Sequence, residues 1–374
     1  MHLSVLELRH FRNLGIQELD LPPDGVAIVG GNAQGKSNFL EAIYYLETFR
    51  SFRGSRDDQV VAFGEELFRV AGTLHDPVDA DSAIGVAAAF QTRGKKKKVT
   101  VNGSEPEKIG DGLGRLAAVI FSPSDVGLVS GGPGGRRRFL DILLSLNVPG
   151  YLRLLQQYRQ VLSQRNASLK EEHSRGLVEA WDDSLVDSGA RVMEARLGWV
   201  TRWEERYASY YRRVADRFGA HLEYAPSVKL EGAVEVEEIA AAFRDALASL
   251  QEREQRLRST LVGPHRDDLV ISLKNEDSVL DLREYGSGGQ QRTAALALRL
   301  VEADTIREAR DQEPIVLMDD VFAELDPARS ERILELLEEE ERGQVILTAP
   351  KESDVRIRRN TLSRWRIEDG VITA

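Results

Sequence analysis

A short strand that ends in glycine and reopens as a helix constrains this chain more than any other feature. Val26-Ala27-Ile28-Val29 is too short and too β-branched for a helix, and from Phe39-Leu40 through Ile43-Tyr44 to Leu46 the apolar spacing switches to the 3.6-residue period. Between them lies Gly30-Gly31-Asn32-Ala33-Gln34-Gly35-Lys36-Ser37, which fits G-x-x-x-x-G-K-[ST] without substitution. Glycines allow the backbone to turn its N–H groups inward around a chain of phosphates, and the helix beginning near Lys36 adds the positive end of its dipole. In such a loop the lysine reaches the β- and γ-phosphates of a nucleoside triphosphate and the serine, here Ser37, ligates Mg²⁺.

Two later stretches carry related chemistry. Ser287-Gly288-Gly289-Gln290-Gln291-Arg292 opens a helix that continues through Ala294-Ala295-Leu296-Ala297-Leu298. A hydroxyl and unpaired N–H groups at a helix start suit an anion, although the same residues also make an ordinary capped start. Pro314-Ile315-Val316-Leu317-Met318-Asp319-Asp320 reads as a buried strand ending in two carboxylates. Asp319 is placed to hold Mg²⁺, through water, and Asp320 to orient or deprotonate an attacking water. Alternation along the strand would point the two in different directions.

The 374 residues are 42% hydrophobic and 30% charged, which is ordinary for a folded globular protein. Cysteine is absent, so disulfides and Cys-ligated zinc are excluded. There is no run of 18 apolar residues, and the N-terminus lacks a basic region followed by an apolar one, so the expectation is a cytoplasmic protein with no membrane partner. A formal net charge of −11 requires any nucleic-acid contact to use a local basic surface. Residues 3–9 and 16–21 read as an entry hairpin. Strands are expected at 68–74, 84–90, 99–101 and 116–121, with Asn102-Gly103 as a hairpin turn. After Gly127–Gly135 the pattern becomes helical, over 139–146, 152–169, 177–211 and 239–257, before strands return at 260–262 and 269–273. These shifts divide the chain into a mixed α/β head, residues 1–122 and 257–374, and a helical arm domain, 123–256.

Three basic features have two readings each. Arg93 and Lys95–Lys98 form a solubilising hairpin tip or touch phosphates. Arg136-Arg137-Arg138, at a helix start whose dipole they oppose, call for an anion, either DNA phosphate or a local carboxylate such as Asp141. His265 touches nucleotide or caps a turn.

Together the loop at 30–37, the stretch at 287–292, the strand at 314–320 and the following Ala323-Glu324-Leu325-Asp326 resemble the ATP-binding-cassette ATPases, where they are called Walker A, signature, Walker B and D-loop. Asn32 in Walker A and a helical insert splitting the cassette are similar to the SMC-like DNA-repair branch. Within it, the chain resembles the RecF family of bacterial recombination mediators. The residues that carry this are Leu8–Asn13, Phe121–Asp125, Gly135–Asp141, Leu261–Asp268 and Asp319–Asp326, spread from end to end.

The resemblance implies an ABC-type ATPase head that binds ATP and Mg²⁺ and dimerises head to tail around two nucleotides. Ser287, Gly288, Gly289 and Gln290 of one subunit would cap the γ-phosphate held by Gly30, Gly31, Asn32, Ala33, Gln34, Gly35, Lys36 and Ser37 of the other. Arg12, Asn38, Asp326 and Thr348 would add nucleotide contacts. Lys36, Asp320 and Ser287 would be catalytic, and Ser37 and Asp319 would hold the metal. The implied partners are DNA at duplex/single-strand junctions, with RecR and RecO in the loading of RecA. Two departures point to slow hydrolysis: Ser122-Pro123-Ser124-Asp125 stands where many cassettes have a glutamine, and Thr348-Ala349 where they have a switch histidine. A transport-coupling cassette and a nucleotide-sensing scaffold share the loop and signature. The Asp319-Asp320 pair, Phe11-Arg12-Asn13 and Gly263–Asp268 favour the DNA branch.

Overall fold

Strand parity along the first element already requires a correction to simple alternation. Leu3 and Leu6 are both fully buried, yet an odd spacing would put them on opposite faces. A bulge between Leu3 and Val5 restores them to one face, with Leu8, while Glu7 and Arg9 face out; Phe11, an odd spacing from Leu8, is buried past His10, whose φ of +51° breaks the alternation. The computed structural model describes residues 1–75, 82–171, 175–215, 219–274, 279–320, 327–339, 343–355 and 362–374.

Its contacts divide the chain into two units, 1–125 with 298–374, and 126–297. The first unit begins with β1 (His2–Phe11), β2 (Leu14–Asp20), β3 (Gly25–Val29), α1 (Lys36–Thr48), α2 (Asp57–Val60), β4 (Leu67–His75), β5 (Ala83–Gln91), β6 (Lys96–Val101) and β7 (Ala118–Phe121). The second comprises α3 (Val126–Ser130), α4 (Pro133–Asn147), α5 (Tyr151–Lys170), α6 (Arg175–Glu179), α7 (Asp182–Ala215), β8 (Ala220–Ala225), α8 (Val236–Leu257), β9 (Asp268–Lys274), β10 (Val279–Asp281) and α9 (Leu282–Tyr285). Helix α10 (Gly288–Arg310) runs on into the first unit, which ends with β11 (Ile315–Asp319), α11 (Pro327–Glu339), β12 (Val345–Ala349), β13 (Ser363–Glu368) and β14 (Val371–Thr373).

The first unit holds two sheets. One is antiparallel, in the order β2-β1-β4-β5-β6; the other is mixed, β14-β13-β3-β12-β11-β7, with β13, β3, β12, β11 and β7 parallel and β14 antiparallel. Every residue of β3, β11 and β12 is buried, as expected of parallel strands covered on both faces, and their sequences accordingly run apolar without alternation. Helix α1 touches β1, β4 and β5 of one sheet and β7, β11 and β12 of the other. Being enclosed, it forces its polar residues Lys36, Glu41 and Glu47 to find partners inside the protein.

In the second unit the helices surround a small antiparallel sheet, β10-β9-β8. Its interior is unusually ionic. Arg196 is 2% exposed and donates to Asp141 (2.7 Å) and to the Pro264 carbonyl (2.7 Å), while equally buried Arg165 pairs with Glu254 and Asp182. Asp267 accepts from the Ser227 amide and hydroxyl and from the Tyr224 hydroxyl. The Gly263–Asp268 stretch is therefore a clamp between helices and β8.

Several sequence expectations differ from what is observed. Residues 260–262 are not a strand: the Thr260 amide donates to Asn166 and the Leu261 amide to Glu254, side chains that replace a ladder. Strand β8 lies in the stretch between the helices read over 177–211 and 239–257, inside what was expected to be a helical arm, and Ala220, Leu222 and Tyr224 are its inward alternate residues. The helix read over 177–211 is two, α6 and α7, separated by a turn in which the Trp181 amide donates to Val178. The sequence puts unit boundaries at 122/123 and 256/257, the contacts at 125/126 and 297/298, because the 263–268 clamp, β9 and β10 pack with the helices.

Candidate functional site

The glycine loop leaves the carboxyl end of β3, in the interior of the mixed sheet, and two glycines show why no other residue fits. Gly35 has φ +114°, and a Cβ on Gly30 would lie 2.5 Å from the Ile367 carbonyl oxygen. The loop is pinned from outside. The Gln34 carbonyl accepts from Asn13 Nδ2 (3.1 Å) and the Gly370 amide (3.0 Å), and the Gly30 amide donates to Ala349 (3.2 Å). Gly31, Asn32 and Ala33 at the crest are exposed.

Lys36 is buried and donates to the Gly30 and Gly31 carbonyls at 2.6 and 2.8 Å. Burial depresses its pKa below the ordinary lysine value, against the opposing pull of Asp320 and Asp319. Ser37 Oγ donates to Asp319 Oδ1 at 2.7 Å, joining the start of α1 to the end of β11. On the intervening strand β12, Thr348 Oγ1 lies 3.1 Å from the same carboxylate oxygen and accepts from the Asp320 amide at 3.1 Å. Asp320 does not continue the strand. Its φ of +49° is left-handed, a conformation that aspartate tolerates better than most residues, so a backbone twist rather than pleat alternation separates the two carboxylates.

These contacts gather Gly30–Asn38, Asp319, Asp320 and Thr348 into one site. Asn38 belongs to a small amide chain: its Nδ2 donates to Asn13 Oδ1 (2.7 Å) and its Oδ1 accepts from Arg53 (3.0 Å). Arg12 engages helix α1 and the segment after it. Its guanidinium donates to Glu41 twice (3.1 and 2.8 Å), to Ser55 and to the Gln59 carbonyl, gripping a fully buried carboxylate of α1. Sequence reasoning missed Asn13, Glu41 and Arg53; of these only Asn13 lay within a quoted motif. In the second unit, Ser287 and Gln290 cap α10 reciprocally. The Gln290 amide donates to Ser287 Oγ (3.3 Å) and the Ser287 amide to Gln290 Oε1 (2.8 Å), with Ser287 and Gly288 exposed. Asp326 and the rest of Ala323–Asp326 lie outside the described residues.

The basic features separate. Lys97 turns inward onto the Phe49 carbonyl and Asp57 (2.9 Å), over the Tyr45 ring, whereas Arg93, Lys95, Lys96 and Lys98 are exposed. Arg136 pairs with Asp268 at 2.7 and 2.8 Å, so the local anion is Asp268 rather than Asp141, and Arg137 donates to the Asp267 carbonyl. The His265 ring is held between the Tyr158 hydroxyl (2.6 Å) and the Thr260 carbonyl (3.1 Å), and burial lowers its pKa to about 4. It is a turn clamp in its neutral form.

The loop fits a polyphosphate with a hard cation: glycines where a Cβ would collide, a buried amine at the loop carbonyls, and a hydroxyl and carboxylate, both oxygen donors, 2.7 Å apart. A family model described as RecF/RecN/SMC N terminal domain matches residues 2–373. The chain belongs to this family. A DNA replication and repair protein RecF from Symbiobacterium thermophilum is 39% identical, with 91% of this chain and 89% of that protein covered. A RecF from Halothermothrix orenii is 34% identical, covering 100% and 99%. A solved structure of the recombination mediator protein RecF with ATP superposes with a TM-score of 0.89 at 33% identity, over 100% of this chain and 97% of that one. An Smc head bound to a domain of ScpA, 15% identical with a TM-score of 0.57, shares the fold. The α/β, SMC-like ATPase head expected from the sequence is thus the fold observed. Among the described residues no helix is long and apolar enough to cross a membrane.

Proposed function

We propose that this chain is an ATP-dependent DNA-binding protein of recombinational repair, acting as a RecF-type mediator. The observation that carries the reading is the hydrogen-bonded convergence of Ser37, Asp319, Thr348 and Asp320 beside a buried loop lysine, in a chain whose relatives are named for DNA replication and repair.

ATP would lie along the Gly30–Ser37 amides, and Lys36 would exchange the Gly30 and Gly31 carbonyls for β- and γ-phosphate oxygens. Ser37 and Asp319 would hold Mg²⁺, whose charge would offset that of the phosphates. Asp320 accepts the proton of the attacking water, and its carboxylate is aimed by the left-handed turn that Thr348 ties to Asp319. Thr348 is in this way the γ-phosphate-sensing residue where other cassettes use histidine. The Ser287–Gln290 start, with Ser287 and Gly288 exposed, caps the γ-phosphate of a second copy, so ATP builds a head-to-tail homodimer on DNA and slow hydrolysis releases it. The preferred DNA is the duplex/single-strand junction at a gap, where the dimer works with RecR and RecO in loading RecA.

Lys36→Ala tests the site. Loss of the charged phosphate contact, about 1.5–3 kcal/mol, should weaken ATP binding on the order of tenfold to a hundredfold and leave DNA binding indifferent to nucleotide. Unchanged ATP affinity would overturn the assignment.

A further inference from the structure

The antiparallel sheet of the first unit turns one face outward. Its strands β4, β5 and β6 contain no aspartate or glutamate, in a chain with 61 acidic residues against 50 lysines and arginines. Register places cations in rows across that face. Arg9 pairs with Arg69, Arg69 with Ala89 and Ala89 with Lys98, while Lys96 stands opposite Gln91 in the next row toward the hairpin. With neighbouring strands about 4.8 Å apart, Arg9, Arg69 and Lys98 form a line spanning some three strand spacings. Between and beside them lie Ala71, Ala87, Ala89 and Thr100, so the surface is flat and a backbone can approach closely. Lys97, the lysine of opposite parity, is turned inward and pinned, which fixes Lys96 and Lys98 facing out. Of the carboxylates on the face, Glu7 on Arg69 and Glu105 on Lys98 form exposed pairs at 2.6 Å that phosphates can displace at small cost, while Glu18 and Asp20 lie on the edge strand β2, beyond β1 from the cation row.

We infer that this face binds the phosphate backbone of double-stranded DNA through Arg9, Arg69, Lys96 and Lys98. The inference rests on the DNA-binding reading above and assigns its contact surface. Duplex rather than single-stranded DNA is the occupant because the outward positions of β4, β5 and β6 beside the cations carry no phenylalanine, tyrosine or tryptophan: Phe68 and Phe90 point into the core, and the His75 ring, at the far end of β4 from Arg69, is already stacked on His2. Single strands are held by stacking platforms, whereas a cation row on small residues suits a backbone whose bases are already stacked.

The test measures binding of labelled duplex and single-stranded DNA to the full chain with ATP and Mg²⁺ across a salt series. It compares wild type with Arg69→Gln/Lys96→Gln/Lys98→Gln and with a control that removes equal charge from the helical unit, Arg153→Gln/Arg253→Gln/Arg256→Gln. Duplex affinity of the first variant should fall at least about tenfold, and the slope of log affinity against log salt should shrink by about 2 to 3, with ATP affinity unchanged. The control should alter the slope by less than about one, and single-strand binding should change less than duplex binding. If wild type binds duplex and the sheet variant keeps its affinity and slope, or if the control weakens binding equally, the surface assignment falls while the DNA reading stands. Wild type that binds no DNA at all would overturn that reading and the surface with it.

Discussion

Removing the Arg12 guanidinium asks whether this residue acts on nucleotide directly or by holding the nucleotide-bearing helix. Glu41 is fully buried in α1, and its carboxylate receives two bonds from Arg12 and one from Ser51, with Arg53 at 3.7 Å. Breaking a buried pair from one side costs about 3–5 kcal/mol, because the remaining charge stays desolvated. Arg53 already lies close enough to compensate in part, so Arg12→Ala should lose the lower end of that range, about 3 kcal/mol. Arg12→Met/Glu41→Leu removes both charges and should recover most of the loss, to within about 1 kcal/mol of wild type, leaving a large coupling energy in the double-mutant cycle. Urea unfolding followed at Trp365, the first unit's tryptophan, gives the stabilities, and equilibrium binding gives ATP affinity under conditions where every variant is folded. If Arg12 anchors α1, the first quantity should change greatly and the second by less than about threefold. An Arg12→Ala protein as stable as wild type but with ATP affinity reduced tenfold or more would refute it and make the guanidinium a nucleotide ligand.

Asp320→Asn should keep ATP and metal binding while slowing turnover, so that ATP-bound dimers accumulate and DNA leaves them more slowly; fewer dimers and faster DNA release than wild type would count against Asp320 as the base. Asp319→Asn should instead weaken Mg²⁺-dependent assembly, read as the dimer fraction at a series of Mg²⁺ concentrations. Ser287→Arg should leave monomer ATP binding intact and abolish ATP-dependent dimers in sedimentation, and a full dimer would sink the head-to-tail arrangement. His265, with its pKa lowered to about 4, refuses the proton that the unfolded chain takes up near pH 6.5. Stability should therefore fall as pH drops from about 6.5 to 4, by up to about 3 kcal/mol from this group, and His265→Gln should shed that part of the acid dependence; an identical acid slope would refute it. Glu47 runs the other way. Burial raises its pKa to about 8, so its protonated form binds one proton more than the unfolded chain above the ordinary carboxylate range. Stability from this group is present at low pH and declines as pH climbs toward 8, and Glu47→Gln should flatten that decline in unfolding curves.

What the chain determines locally is what could be read without coordinates. A glycine loop between a strand and a helix is set by covalent spacing, so Gly30, Gly35, Lys36 and Ser37 meet whatever surrounds them, and the runs Val26–Val29 and Ile315–Met318 announce buried parallel strands. Even β8 carried its alternation at Ala220, Leu222 and Tyr224, hidden only by helical flanks. Other features depend on neighbours distant in sequence. Ser37 meets Asp319, and Thr348 meets the Asp319 carboxylate and the Asp320 amide, only because β12 pairs between β3 and β11. Arg12 serves Glu41, and Lys97 faces inward while Lys96 and Lys98 face out, because α1 is enclosed between two sheets and each buried charge must take the nearest partner. His265 and Arg136, each open to two readings in the sequence, become clamps in the fold for the same reason. Spacing along the chain decides which groups a loop presents; desolvation, which acts only once the core has closed, decides which charges remain free to meet a ligand.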